Sequence, residues 1–153
     1  MHKNELIFQK LDNPELIKVA KTLKNEGVVL QEKNYTYLKI SDDFIHKLYP
    51  LIVEHEYLQK PNYFSEQCNI GAHITITYPN EQTVINNQDI NVIHSFEIEE
   101  LAKTQIENKQ YYVLKVSSPS LISLRKKYQL PPQLNFKGYK VSLHITIAIK
   151  QLI

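Results

Sequence analysis

The chain of 153 residues has no tryptophan, one cysteine, one methionine and three glycines. A lone thiol, Cys68, excludes an internal disulfide and fits a reducing, cytoplasmic setting. Glycine at only 27, 71 and 138 excludes a Gly-rich phosphate loop, and no Gly-x-Ser-x-Gly turn is present for a nucleophile-elbow hydrolase. No apolar run approaches the roughly 20 residues that cross a bilayer. Leu6-Ile7-Phe8 is too short for the apolar region of a signal peptide. A soluble domain spanning 1–153 is expected, and 42% apolar with 22% charged residues is ordinary for one that buries a core.

Acidic residues are also missing from one third of the chain. Residues 1–80 hold ten acids and nine bases, and residues 81–107 hold six acids against Lys103. After Glu107 there is no Asp or Glu, while Lys109, Lys115, Arg125, Lys126, Lys127, Lys137, Lys140 and Lys150 follow. Arg125–Lys127 by themselves read as a solvated helix face. A whole acid-free segment around a candidate site favours an anionic ligand.

What is present is a repeat. His-Ile-Thr-Ile occurs at 73–76 and again at 144–147, each time within an alternating apolar stretch. Period two marks a half-buried strand. It places His73, Thr75 and Thr77 on one face, with Ile74, Ile76 and Tyr78 on the other. In the second copy His144, Thr146 and Ala148 share a face opposite Ile145, Ile147 and Ile149. Each strand thus buries isoleucines and presents an imidazole beside a hydroxyl.

The flanking sequence is also repeated in kind. Asn13 and Pro14 start a helix that Gly27 can end. Strands are expected at 28–30 and 35–40, then a helical stretch from Ser41 or Asp42 that Pro50 must interrupt. Strands at 96–106 and 111–116 precede a helix from Ser118-Pro119, stopped by Leu130-Pro131-Pro132. Strand, helix and motif strand recur in 35–79 and 111–149. The expectation is an α+β, two-lobed fold: two antiparallel sheets flank a central cleft, and helices near 42–57 and 118–129 cover the outer faces. The lobes would span about 35–80 and 94–150, with residues 1–34 an added strand and helix.

A single His on a strand is usually structural or exposed, and that holds for His2, His46, His55 and His94. A lone Thr beside Ile is ordinary β-propensity. The paired motif in matching surroundings shifts the balance to function. Zinc fits poorly, because two imidazoles lack a clear third ligand cluster, so no metal or other cofactor is expected. Two His-x-Thr-x motifs on similar halves resemble the two-histidine (2H) phosphoesterases over residues 35–150, most closely at Gly138–Ala148. Leu143 departs from the Pro often found there in that family.

The resemblance implies RNA-type substrates: a 2′,3′-cyclic phosphate end, a 2′-5′-linked oligonucleotide or a related cyclic nucleotide. His73 and His144 would share general acid and base duty, since imidazole titrates near neutral pH. Thr75 and Thr146 would donate to non-bridging oxygens as charge grows there. Tyr63, Phe64, Phe136 and Tyr139 fall in loops flanking the motifs, where rings can stack on a base. The expected protein is a monomeric phosphodiesterase without a membrane partner. The competing class is a non-catalytic RNA- or nucleotide-binding module using the same cleft.

Overall fold

The structure, a computed structural model, describes residues 6–52, 57–66 and 68–152. Asn13 begins the first helix as its chemistry suggests. Its Oδ1 accepts from the Leu16 amide at 3.1 Å while its Nδ2 donates to the Leu51 carbonyl at 2.9 Å. Before it lies β1 (Gln9–Leu11), and after it α1 (Pro14–Ala20). The helix ends well before Gly27, which instead sits inside β2 (Glu26–Glu32). A Cβ there would strike the Lys39 carbonyl of the adjoining strand, so close backbone approach explains this glycine.

Next come β3 (Tyr35–Lys39), a single-turn α2 (Asp43–His46) and a 3₁₀ turn at Tyr49–Leu51. The interruption falls at Pro50, which has no amide to continue a helix. The rest of the helix expected near 42–57 lies partly outside the described residues. The strands β4 (Leu58–Gln59) and β5 (His73–Thr77) complete the first half. The second half holds β6 (Ile93–Ser95), β7 (Glu97–Ile106), β8 (Lys109–Ser117) and α3 (Pro119–Lys127). A small hairpin, β9 (Leu134–Phe136) and β10 (Tyr139–Val141), turns through Lys137 and Gly138 at positive φ before β11 (His144–Gln151).

The main sheet runs in the order β1-β7-β8-β11-β5-β3-β2-β6, with β4 paired to β11, and the pairings among the described residues are antiparallel. The chain is thus α+β. The two halves are not separate sheets across a gap, because the two motif strands are themselves neighbours. They bond through one pair, Ile145 with Ile74, and part on either side. Behind the joint, α2 packs on β11 and α3 on β5, so each helix backs the other half's motif strand. Ile74, Ile76, Ile145 and Ile147 are fully buried in this core with Phe44, Leu48 and Leu121. Each such side chain contributes about 1.5–3 kcal/mol by leaving water. Among the described residues no helix is long and apolar enough to cross a membrane.

Candidate active site

Both motif strands bulge immediately after their threonine. On β3, Tyr37 pairs with Thr75 and Thr36 with Thr77, so β5 carries one extra residue over that step. On β8, Val113 pairs with Thr146 and Tyr112 with Ala148, placing the same extra residue at Ile147. A bulge reverses the alternation of faces beyond it. Thr77 therefore lies on the core side with Ile76, and Tyr78 turns toward His73 and Thr75. Ala148 joins Ile147 in the core. The strict alternation expected for Thr77, Tyr78 and Ala148 fails because it holds only while the ladder is regular.

The first bulge is held from behind by Arg125, the one arginine among 18 basic residues. Its side chain is fully buried rather than solvated, because it falls on the same helical stripe as Leu121. Nη1 donates to the bulge carbonyl of Ile76 at 2.7 Å. Nε and Nη2 donate to the carbonyls of Pro131 and Gln133 at 2.8 and 2.9 Å. Nη1 and Nη2 also grip Glu81 at 3.1 and 2.8 Å. Glu81 Oε1 in turn accepts the Tyr78 amide at 2.9 Å, so the pair fixes both ends of the turn that leaves β5.

In front of the joint is a cavity of about 260 Å³ lined by His73, Thr75, His144 and Thr146 together. Extending the Ile74–Ile145 register by one residue sets His73 toward Thr146 and His144 toward Thr75. The imidazoles are held alike. His73 Nδ1 donates to the Gly71 carbonyl at 2.8 Å, and His144 Nδ1 to the Ser142 carbonyl at 2.7 Å. A carbonyl only accepts, so both rings carry the proton on Nδ1 and keep Nε2 as the basic nitrogen. Gly71 can aim its carbonyl this way because it adopts φ +67°, where a Cβ would strike Asp42. Asp42 is diverted from capping α2 and instead accepts the Ala72 amide at 3.0 Å.

The surroundings keep both rings neutral. Burial pushes His73 down to about 4, opposed by the Gly71 hydrogen bond and assisted by the charges of His144 and Lys39. Burial lowers His144 as well, opposed by its bond to Ser142. Three tyrosines crowd His73 edge-on: Tyr63, Tyr37 and Tyr35, with ring centroids 4.7, 5.7 and 6.2 Å away. Tyr35 meets the Thr75 hydroxyl at 2.8 Å, and Tyr78 and Tyr63 line the same cavity as Thr75 and Thr146. Burial raises all three phenols, Tyr63 to about 12, so they stay protonated donors.

The cavity lining contains no Lys or Arg among the described residues. Two bases of the acid-free segment are held by acids, Arg125 by Glu81 and Lys127 by Asp89 at 2.9 Å, while Lys137 lies over the Phe136 ring at 5.3 Å. Of the loop aromatics, Tyr63 and Phe136 line the cavity. Phe64 does not; its ring lies 4.8 Å from His46 on a partly exposed surface. Tyr139 also lies outside the lining; on its strand β10 it is Val141 that reaches the cavity. Sequence reasoning missed Tyr35 and Tyr78. Pairing β3 with the motif strand would have found Tyr35, whereas Tyr78 depended on the bulge. That Arg125 stands alone among lysines was an available sign that it does something lysine cannot.

A family model described as "2H-SAK: Swiss Army Knife, 2H phosphoesterase domain" matches residues 36–152. No curated protein and no solved structure matches the chain.

Proposed function

The chain belongs to the 2H phosphoesterase family, and from that membership and the site we propose a metal-independent phosphodiesterase acting on RNA-type phosphodiesters. The substrate is a 2′,3′-cyclic phosphate end, a 2′-5′ linkage or a related cyclic nucleotide. One observation carries the reading: two imidazoles in one cavity, each fixed with its proton on Nδ1 by the backbone carbonyl two residues before it.

The chemistry follows from that arrangement. Bound substrate brings one negative charge into a wall without fixed cations. The anion raises the pKa of the imidazoles facing it, so one takes up a proton on Nε2 and the other stays basic. The basic Nε2 removes a proton from water as its oxygen bonds phosphorus. The P–O bond to the ribose oxygen breaks, and the imidazolium protonates that oxygen. Thr75, supported by Tyr35, and Thr146 donate to the non-bridging oxygens. Tyr63 and Phe136 offer ring faces to a base. The hydrolysed product carries more charge than the substrate, and desolvating an anion costs more steeply as its charge grows. A wall lacking lysine and arginine therefore holds the product poorly.

The whole chain acts as one domain and one monomer in this reading, in a reducing cytoplasm where Cys68 stays a thiol. Turnover of a 2′,3′-cyclic nucleotide and a 2′-5′ dinucleotide, with and without chelator, tests it. Cleavage that persists in chelator is the expected result. Stoichiometric binding of either ligand with no product would establish the non-catalytic nucleotide-binding module instead.

A further inference from the structure

The residues ahead of the family match build one wall of the cavity. Leu6 and Phe8 line it, although the family model begins at residue 36. They point inward because the segment alternates: Ile7 between them is 88% exposed. The wall is anchored, since Thr104 Oγ1 donates to the Ile7 carbonyl at 2.8 Å and β1 continues as an edge strand on β7.

A second pocket lies on the other side of the same two residues, bordered by Leu6, Phe8, Lys115, Gln133, Lys140 and Ser142. It differs chemically from the first. Lys115 is the cross-strand partner of His144, and its Nζ lies 5.1 Å from the Phe8 ring centroid. Glu100 approaches Lys115 only to 4.0 Å, and Lys140 adds a second cation. Ser142, whose carbonyl fixes His144, belongs to this pocket too. A neutral cavity and a basic pocket thus adjoin His144, separated by two apolar side chains.

We propose that Leu6 and Phe8 are specificity determinants that set substrate length. They confine the substrate to a single nucleotide at the scissile phosphate and bar further phosphates from Lys115 and Lys140. The proposal rests on the phosphodiesterase reading. With the wall reduced, the two spaces join, and a longer RNA end reaches two cations that the wild-type substrate never meets.

The test compares kcat/KM for adenosine 2′,3′-cyclic phosphate with that for a triadenylate ending in a 2′,3′-cyclic phosphate. Variants are Phe8→Ala, Leu6→Ala and Phe8→Leu, with folding followed by thermal melts. Phe8→Ala and Leu6→Ala should raise the trimer-to-monomer ratio about tenfold or more, while Phe8→Leu keeps it near wild type. Adding Lys115→Gln to Phe8→Ala should remove most of the gain, and the gain should weaken with salt because extra phosphates are contacted. A ratio unchanged in folded Phe8→Ala and Leu6→Ala overturns the proposal while leaving the phosphodiesterase reading intact. If the wild type cleaves neither compound, that reading fails, and the ratio of equilibrium affinities for the same two compounds decides the length question.

Discussion

Ile74 and Ile145 form the one residue pair by which the two motif strands bond to each other. Both are fully buried, and the strands part beyond them. The pair acts as a hinge point of fixed register. Because the strands are antiparallel, it crosses the repeats, so that each imidazole faces the other copy's threonine. The cavity is therefore built half from each strand, and damage to one copy should not be rescued by the other.

Replacing His73 or His144 by Ala should each lower turnover by roughly 10²–10⁴, the usual contribution of a positioned acid or base. The double variant should lose far less than the product of the two, since the pair works as a unit. Steady-state kinetics on a cyclic nucleotide checks both statements. Full activity in a folded His73→Ala protein would remove the two-histidine mechanism.

The same substitution should have opposite consequences at three threonines. Thr75→Val and Thr146→Val each remove a hydroxyl that the proposed mechanism uses to hold the phosphate, worth about 1.5–3 kcal/mol, and should cost one to two decades of activity. Thr77 faces the core, and its Oγ1 has no hydrogen-bond partner among the described residues. Thr77→Val should therefore stabilise the fold by about 1 kcal/mol with turnover unchanged. Urea denaturation beside kinetics separates the two effects, and a destabilised Thr77→Val would contradict the bulge assignment.

Arg125→Met should destabilise by about 3–5 kcal/mol, because it leaves Glu81 charged and buried and orphans three carbonyls. Arg125→Lys should recover little, since one ammonium cannot serve the spread of directions that the guanidinium does. Chemical denaturation measures both. A Lys variant as stable as wild type would show that the fork geometry is unimportant.

Stability should depend on pH through His73. Its folded pKa is lowered to about 4 against an unfolded value near 6.5, so the unfolded chain binds the extra proton between these limits. Stability is then full above about pH 6.5 and falls as pH drops toward 4, by an amount on the order of 3 kcal/mol. His73→Gln should flatten that part of the profile. An unchanged slope in the variant would place the titration elsewhere.

The sequence by itself determined where the two motif strands lie and where α1 and α3 begin, though not where α1 ends or the short strands β4, β6, β9 and β10. Local chemistry was enough: Asn13 and Ser118 cap their helices, Pro50 breaks one, and alternation around each His-Ile-Thr-Ile marks a strand. What the tertiary structure decided was everything that depends on neighbours in space. Period two could not foresee the bulges, which arise from how β5 and β11 register against β3 and β8, and these move Thr77, Tyr78 and Ala148 to new faces. Charge counting could not foresee that Arg125 is buried and that no lysine or arginine among the described residues lines the cavity, since net charge carries no direction. Nor could it show Leu6 and Phe8 at the wall, because their side chains meet His144's surroundings only after β1 pairs with a strand ninety residues away in sequence. Periodicity reports one strand's own faces; which residues share a site is set by pairing register and packing between strands distant along the chain.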